Sequence, residues 1–147
     1  MSPVAAAQNK RMDIKDYLRS VRKLKSDIES MKRMRESLLY SLTGTGIPIK
    51  KTFVQESAPT DKMAVRMASV ADLEREIDER IMFLMQEQSR VLEIIKALRK
   101  PEHRAIMTDY YLNALTWEKV ADIHGYSQKH VERMHGMALN ELREKGY

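Results

Sequence analysis

The sequence predicts an all-α fold in which long N-terminal helices of the coiled-coil type (residues 1–100) precede a C-terminal domain of three short helices (101–147). Three observations predict it. Apolar residues recur at helical spacing over two long stretches. Gly and Pro are scarce, with 5 and 4 among 147 residues. The C-terminal stretch also alternates residues that begin helices with residues that end them.

The first long helix is predicted from about residue 12 to 42, after eleven residues that we expect to fray. Its apolar residues alternate by threes and fours, the a/d pattern of a coiled coil, and Arg35 is the one break. The seam consists of Ile14, Tyr17, Val21, Leu24, Ile28, Met31, Leu38 and Leu42. The Lys and Arg residues of this helix fit either phosphate contact or an ordinary solvated flank.

Residues 43–62 interrupt the pattern with two glycines and two prolines, which predicts a flexible linker or a functional arm that packs onto the helices or binds a partner. A second long helix is predicted over 63–100, with an apolar residue at every seventh position. These positions are Met63, Val70, Ile77, Leu84, Val91 and Leu98. The two helices can fold back within one chain or pair between chains. A homodimer is favoured because two stripes that face only each other leave an incomplete core.

Three short helices are predicted at the C-terminal end. Pro101 is tolerated at the first position of a helix that reaches about Leu112. Thr116 then caps a second helix, and Gly125 supplies the left-handed residue that ends it. Ser127 caps the third. Two helices joined by a three- or four-residue turn containing Gly form the helix-turn-helix pattern.

The spacing inside this pattern is more specific than a lone glycine. Ala121 is small where two steeply crossing helices must approach closely, Gly125 follows four residues later, and Val131 fills the angle between the helices. The predicted core of the motif is Trp117, Val120, Ala121, Gly125, Val131 and Met134. The alternative is an ordinary helical hairpin inside a bundle.

These residues resemble the fourth conserved region of bacterial sigma factors, which recognises a promoter element. The segments Thr116-Trp117-Glu118, Gly125-Tyr126-Ser127 and 134–139 are more similar to phage late-gene transcriptional activators of the RinA and ArpU type. The resemblance implies a cytoplasmic, nucleoid-associated protein of a bacterial host. It would bind double-stranded DNA sequence-specifically near a late promoter and act with the host RNA polymerase.

Carried over position by position, the resemblance implies two sets of DNA contacts. Gln128, Lys129, Glu132 and Arg133 would read bases, and their chemistry suits adenine, guanine and cytosine edges. Thr116, Ser127 and His130 would lie at the DNA backbone. The alternative is that these are only the solvent-facing residues of an amphipathic helix.

Two residues depart from the family pattern. His124 stands where Leu or Met is usual, and Ile123 stands where a charged residue is usual. Either the imidazole shares the core, or the helix rotates slightly and buries Ile123.

The net charge of the chain is +5, but it is unevenly distributed. Residues 101–147 hold six Lys/Arg and seven Asp/Glu, a net −1, whereas residues 1–42 hold ten and five, a net +5. DNA binding by the C-terminal stretch alone is therefore expected to be weak, and two half-sites or the basic N-terminal helix would compensate. Four acidic residues are alternative polymerase contacts: Asp109, Glu118, Asp122 and Glu141.

Several functional classes find no support. The sequence has no Cys, no recognisable catalytic or phosphate-binding motif and no histidines at metal-ligand spacing, so no enzyme activity, metal or cofactor is expected. The four histidines are interpreted as surface or near-phosphate groups. No signal peptide or membrane span is predicted. Two other hypotheses stay open: a helical adaptor that binds polymerase or another protein, and a small-terminase-like packaging subunit, which usually has the motif first.

Overall fold

The computed structural model describes residues 12–43 and 61–147, and every regular element in these ranges is helical. The all-α prediction is therefore confirmed. The long helices are α1 (Ile14–Thr43) and α2 (Asp61–Lys96). The short ones are α3 (Pro101–Met107), continued by a π-helical turn (Thr108–Leu112), α4 (Trp117–His124) and α5 (Gln128–Glu144). The fraying predicted for residues 1–11 and the linker predicted at 43–62 lie outside the described residues, except that Thr43 belongs to α1 and residues 61–62 to α2.

The described chain forms two compact units. One unit consists of Leu24–Met85, and the other combines residues up to Lys23 with Gln86–Tyr147. The beginning of α1 and the end of α2 therefore belong to the same unit as α3, α4 and α5. We call this the C-terminal unit and the other the long-helix unit.

In the long-helix unit the seven-residue pattern coincides with burial. Val70, Ile77 and Leu84 of α2 are buried, as is Ile28 of α1. Met63, the first member of the series, is 36% exposed. The a/d seam of α1 is half-buried beyond Ile28, and so is Arg35 at the break in the pattern.

In the C-terminal unit the beginning of α1 contacts the end of α2 within one chain. The Tyr17 hydroxyl donates a 2.8 Å hydrogen bond to Glu87 Oε2, and Arg90 binds Glu87 Oε1 at 2.7 Å. Glu87 is buried, and both of its oxygens are satisfied. Burial and the adjacent carboxylate raise the pKa of Tyr17 to about 12, so the phenol keeps its proton and donates it to this bond.

The first turns of α1 are buried over a wider stripe than the heptad pattern predicts. Ile14 and Val21 are buried as expected, but Leu18, outside the predicted seam, is fully buried as well. α5 also reaches the residue before α1: Arg143 donates to both carboxylate oxygens of Asp13, each at 3.0 Å. The guanidinium of Arg143 holds the pKa of Asp13 below its usual value.

The ends of two predicted helices differ from expectation. α2 ends at Lys96 and not at Lys100. Lys100 precedes Pro101 and adopts an extended conformation (φ −83°, ψ 125°), which a following proline favours. The Arg104 guanidinium binds the carbonyls of Leu98 and Arg99 in this connection. The third predicted helix begins with Pro in its first turn, as expected, but its last residues form the π-helical turn.

Candidate nucleic-acid interface

The sequence between α4 and α5 determines where each helix begins and ends. Thr116 Oγ1 accepts a hydrogen bond from Lys119 N at 3.2 Å and caps α4. Gly125 ends α4 in the left-handed region at φ 71°, where glycine is favoured because it has no Cβ. Ser127 Oγ accepts from His130 N at 3.1 Å and caps α5. The predicted caps and the predicted left-handed glycine are all present, and they leave a three-residue turn, 125–127.

The inner sides of α4 and α5 form a small apolar core with α3. Val120 and Val131 are completely buried, while Ala121 and Met134 are 4% and 6% exposed. α4 contacts α5, and α3 also packs against α5. Trp117 is half-buried at the edge of this core. Val131 is thus fixed beneath the side chains that follow it on the outer side of α5.

The four residues assigned to base reading lie together on the exposed side of α5. All four are exposed: Gln128, Lys129, Glu132 and Arg133. They occupy one side of the first turns of the helix, since residues three or four apart are neighbours on a helix. Gln128 Nε2 lies 3.4 Å from Glu132 Oε1, a weak bond that a ligand can replace.

The three residues assigned to the DNA backbone are also exposed, Thr116 at the start of α4 and Ser127 and His130 at the start of α5. The hydroxyls of Thr116 and Ser127 accept capping bonds, and a hydroxyl that accepts such a bond can still donate its own O–H to a phosphate oxygen. The His130 ring lies beside Tyr126, with the centroids 5.1 Å apart and the planes at 70°. We refer to the four base-reading and three backbone residues together as the outer surface.

The charge around the outer surface is more favourable to DNA than residues 101–147 alone indicate. The C-terminal unit also contains residues 12–23 and 86–100, which are rich in Lys and Arg. Residues 12–23 and 86–147 together hold fourteen Lys/Arg and eleven Asp/Glu, a net charge of +3 instead of −1. The basic beginning of α1 therefore belongs to the same compact unit as the outer surface.

Arg22 of α1 holds the segment that leads into α4. Its guanidinium lies 4.4 Å from the centroid of the Tyr110 ring, and Tyr110 stacks on Trp117 with centroids 3.6 Å apart and planes at 8°. Arg22 also donates to the carbonyls of Tyr110 and Leu115, at 3.1 and 3.3 Å. This role of Arg22 was not predictable from the sequence, since a single Arg on the flank of a heptad helix gives no sign of what it contacts.

His135 is part of the same aromatic cluster. Its Nε2 lies 2.7 Å from the Tyr111 hydroxyl, and its ring is 4.6 Å from that of Trp117. Burial, with the positive charges of Lys15 and Arg19 as smaller causes, lowers the pKa of His135 to about 4. The imidazole is therefore neutral at pH 7 and serves packing.

The interpretation of the histidines as surface groups is wrong for most of them. His103 is buried, and burial together with Lys100 lowers its pKa. His124 is half-buried and binds Asp109 at 2.7 Å, whereas Ile123 beside it is 54% exposed. The departure from the family pattern is thus accommodated by the imidazole and not by burial of Ile123. Among the four, His130 alone is classed as exposed.

A groove of about 410 Å³ lies on the other side of α5, next to the beginning of α3. Its polar lining includes His103, Tyr126 and His130, and its apolar lining consists of Met134 and Met137. His103 Nδ1 is buried there without a hydrogen-bond partner among the described residues.

No family model, curated protein or solved structure matches this chain. Over residues 12–43 and 61–147, no set of three or more His, Asp or Glu side chains is arranged to hold a metal ion. The same residues contain no helical segment with the long, nearly uncharged apolar run that a bilayer crossing requires.

Proposed function

We propose that α4, the turn 125–127 and α5 form a DNA-reading helix-turn-helix, and that the protein activates transcription of phage late genes together with bacterial RNA polymerase. One observation carries the DNA-binding part of this proposal. The outer surface is exposed along the first turns of α5, while Val131 is buried directly beneath it. An exposed polar helix face on a fixed base is what a major-groove reader requires.

The side chains of the outer surface suit the edges of bases. Lys129 and Arg133 would donate to guanine O6 and N7, Gln128 would bind adenine N6 and N7, and Glu132 would accept from cytosine N4. The residues at the two caps, with His130, would bind phosphates and thereby set the orientation of α5. Lys129 and Arg133 are expected to contribute most, because charged donors form the strongest of these bonds.

The polymerase and late-gene parts of the proposal derive from the family resemblance, as do the bacterial cytoplasm and nucleoid as its location. Of the four acidic residues considered for polymerase contact, two bind within the chain. Asp109 binds His124, and Glu141 accepts from Arg99 N at 3.0 Å. Glu118 and Asp122 on α4 are exposed, and we propose them as the polymerase-facing pair. A homodimer would add a second half-site and so raise the affinity for DNA.

The experiment begins by selecting bound duplexes from a random library with the full chain. Fluorescence anisotropy then measures the Kd for the selected duplex and for an unrelated one over a salt series. The proposal predicts that Lys129→Ala and Arg133→Ala each weaken binding to the selected duplex by about 5- to 150-fold, which corresponds to one lost bidentate base contact.

A matched control removes the same charges from the long-helix unit. Lys62→Ala and Arg75→Ala lie at exposed positions of α2, and both are expected to leave the Kd for the selected duplex within about twofold of the wild-type value. If no duplex is enriched, or if the two pairs of variants weaken binding equally, the base-reading proposal is wrong.

The second candidate is a helical adaptor that binds protein without reading DNA. Its support is the set of large apolar side chains exposed on α2, of which Met82, Phe83 and Met85 are 66%, 53% and 63% exposed. The adaptor predicts retention of purified polymerase in the absence of DNA, with loss on Phe83→Ala and none on Arg133→Ala. The DNA reader predicts that Arg133→Ala abolishes the polymerase complex on the selected duplex.

A further inference from the structure

Gly136 has no structural explanation within the described chain. It lies in the interior of α5, eight residues from each end of the helix, where glycine lowers helix stability relative to alanine because it restricts the unfolded chain least. A Cβ added at Gly136 would meet no described atom within 4 Å. No close contact within the described chain therefore requires a glycine here.

Gly136 is half-buried and lies on the side of α5 that carries the base-reading residues of the outer surface. It follows Glu132 by four residues, Arg133 by three and Lys129 by seven, so these four positions are neighbours on one helix face. The buried positions of α5, such as Val131 and Ala138, lie on the opposite side. Gly136, which lowers the stability of α5, thus lies next to Lys129 and Arg133, the two cationic residues that we propose bind DNA.

We propose that Gly136 is where the sugar–phosphate backbone of the duplex comes closest to α5. The inference rests on the proposed function. Gly136 lies eight residues beyond Gln128, about 12 Å along the helix axis at 1.5 Å per residue. A recognition helix lies in the major groove with its N-terminal residues on the base edges. Gly136 follows these residues on the same helix face, beside the strand that borders the groove, and the missing side chain admits that strand.

A glycine at a close approach to the backbone makes a distinct prediction about specificity. Contacts to sugar and phosphate position the protein but carry no sequence information. A larger side chain at 136 therefore weakens binding to every duplex by a similar factor, whereas removal of Arg133 mainly weakens binding to the selected duplex. Both effects come from the same helix face.

The test compares the full-length wild type with Gly136→Ala and Gly136→Leu. Alanine and leucine both favour helix, so thermal unfolding followed by circular dichroism is expected to show Tm rising by about 2 to 5 °C in each variant. The Kd for duplex DNA is expected to weaken by about fivefold or more for alanine, and further for leucine, because added bulk at a packed contact is costly. The loss is expected on selected and unrelated duplexes alike.

Ser69→Leu is the control, since it places the same side chain at an exposed helical position of α2; it is expected to leave the Kd unchanged. A wild type that binds DNA while Gly136→Leu binds equally well would overturn the inference and leave the proposed function intact. Equal losses for alanine and leucine would also overturn it, because they would indicate a need for helix flexibility and not for space. A wild type that binds no duplex overturns the proposed function and this inference with it.

Discussion

The C-terminal unit and the long-helix unit are both helical, but they bury their apolar side chains to different extents. In the C-terminal unit, short helices with defined caps enclose fully buried residues such as Val120, Val131 and Leu142. In the long-helix unit, only a narrow stripe is buried. Large apolar side chains stay exposed there: Met34, Tyr40, Val65, Met82, Phe83 and Met85. The C-terminal unit thus encloses a core of several helices, although Ile123 and Met137 stay exposed, whereas the long-helix unit buries one stripe only. The proposed homodimer would cover part of the apolar surface exposed on the long-helix unit.

The largest expected change in the free energy of unfolding comes from a pair of variants that introduce one carboxylate into each unit. Val131→Asp puts a carboxylate at a position with no exposure, and it is expected to lower the free energy of unfolding by at least about 4 kcal/mol. Val65→Asp makes the same change at a position that is 66% exposed, and the expected change is within about 0.5 kcal/mol. Urea unfolding followed by circular dichroism measures both. Similar losses in the two variants would contradict the difference between the units.

The next largest change in the free energy of unfolding is expected at Arg22 of α1, which contacts the segment before α4. Arg22→Ala removes the guanidinium at the Tyr110 ring and its bonds to the carbonyls of Tyr110 and Leu115. The expected loss is about 2 to 3 kcal/mol, since bonds from a charged donor to partly buried carbonyls are lost. Arg33→Ala, at an exposed position later in α1, serves as the control and is expected to cost less than about 0.5 kcal/mol. Equal stability of the two variants would show that Arg22 does not hold this segment.

A smaller effect appears when the pH is lowered. His135 has a pKa lowered from 6.5 to about 4, so the unfolded chain takes up this proton at a higher pH than the folded chain does. The contribution of neutral His135 to the free energy of unfolding is therefore fully present above pH 6.5, falls as the pH drops through this window and is lost below about pH 4. Because the group is only partly buried, we expect this contribution to be about 2 kcal/mol. The bond between Asp13 and Arg143 weakens at lower pH still, because the pKa of Asp13 lies below 3.8.

Chemical denaturation at several pH values measures this dependence. His135→Gln is expected to flatten the curve between pH 6.5 and 4, because the amide does not take up a proton. His130→Gln changes an exposed histidine in the same helix and is expected to leave the curve as it is in the wild type. An unchanged curve for His135→Gln would show that another group determines the pH dependence.

The last pair of substitutions is expected to change the oligomeric state of the protein while leaving the free energy of unfolding nearly unchanged. Met82→Glu combined with Met85→Glu places two charges on neighbouring exposed positions of α2. The free energy of unfolding of the single chain is expected to change by less than about 0.5 kcal/mol, while light scattering is expected to show the mass of one chain in place of a dimer. Ser69→Glu is the control. A wild type that is already a single chain at all concentrations would contradict the proposed homodimer.

Those parts of the fold that depend on neighbours in sequence were predictable. The caps at Thr116 and Ser127 act on amides three residues away, and Gly125 ends its own helix. The seven-residue series also predicted burial correctly at Val70, Ile77, Leu84 and Val91 of α2 and at Leu98 just after it, because a heptad spacing keeps these positions on one helix face.

What sequence analysis missed depends on which helices meet in space. Arg22 contacts a carbonyl 88 residues away in the chain, and nothing in its immediate surroundings indicates that partner. Leu18 is fully buried and His135 half-buried in the unit that combines the beginning of α1 with α3 and α5, so packing between helices distant in sequence overrides the local pattern. The outer surface was placed through the family resemblance, and its role in binding DNA stays a prediction.

Site-specific photo-crosslinking tests the central claim most directly. A benzophenone amino acid is placed at Lys129 in one full-length variant and at Arg75 in another, both exposed helical positions, and each variant is irradiated with a selected duplex. If α5 enters the groove of the duplex, position 129 forms the crosslink and position 75 does not. A bound duplex that crosslinks from position 75, or that never crosslinks from position 129, would contradict the claim.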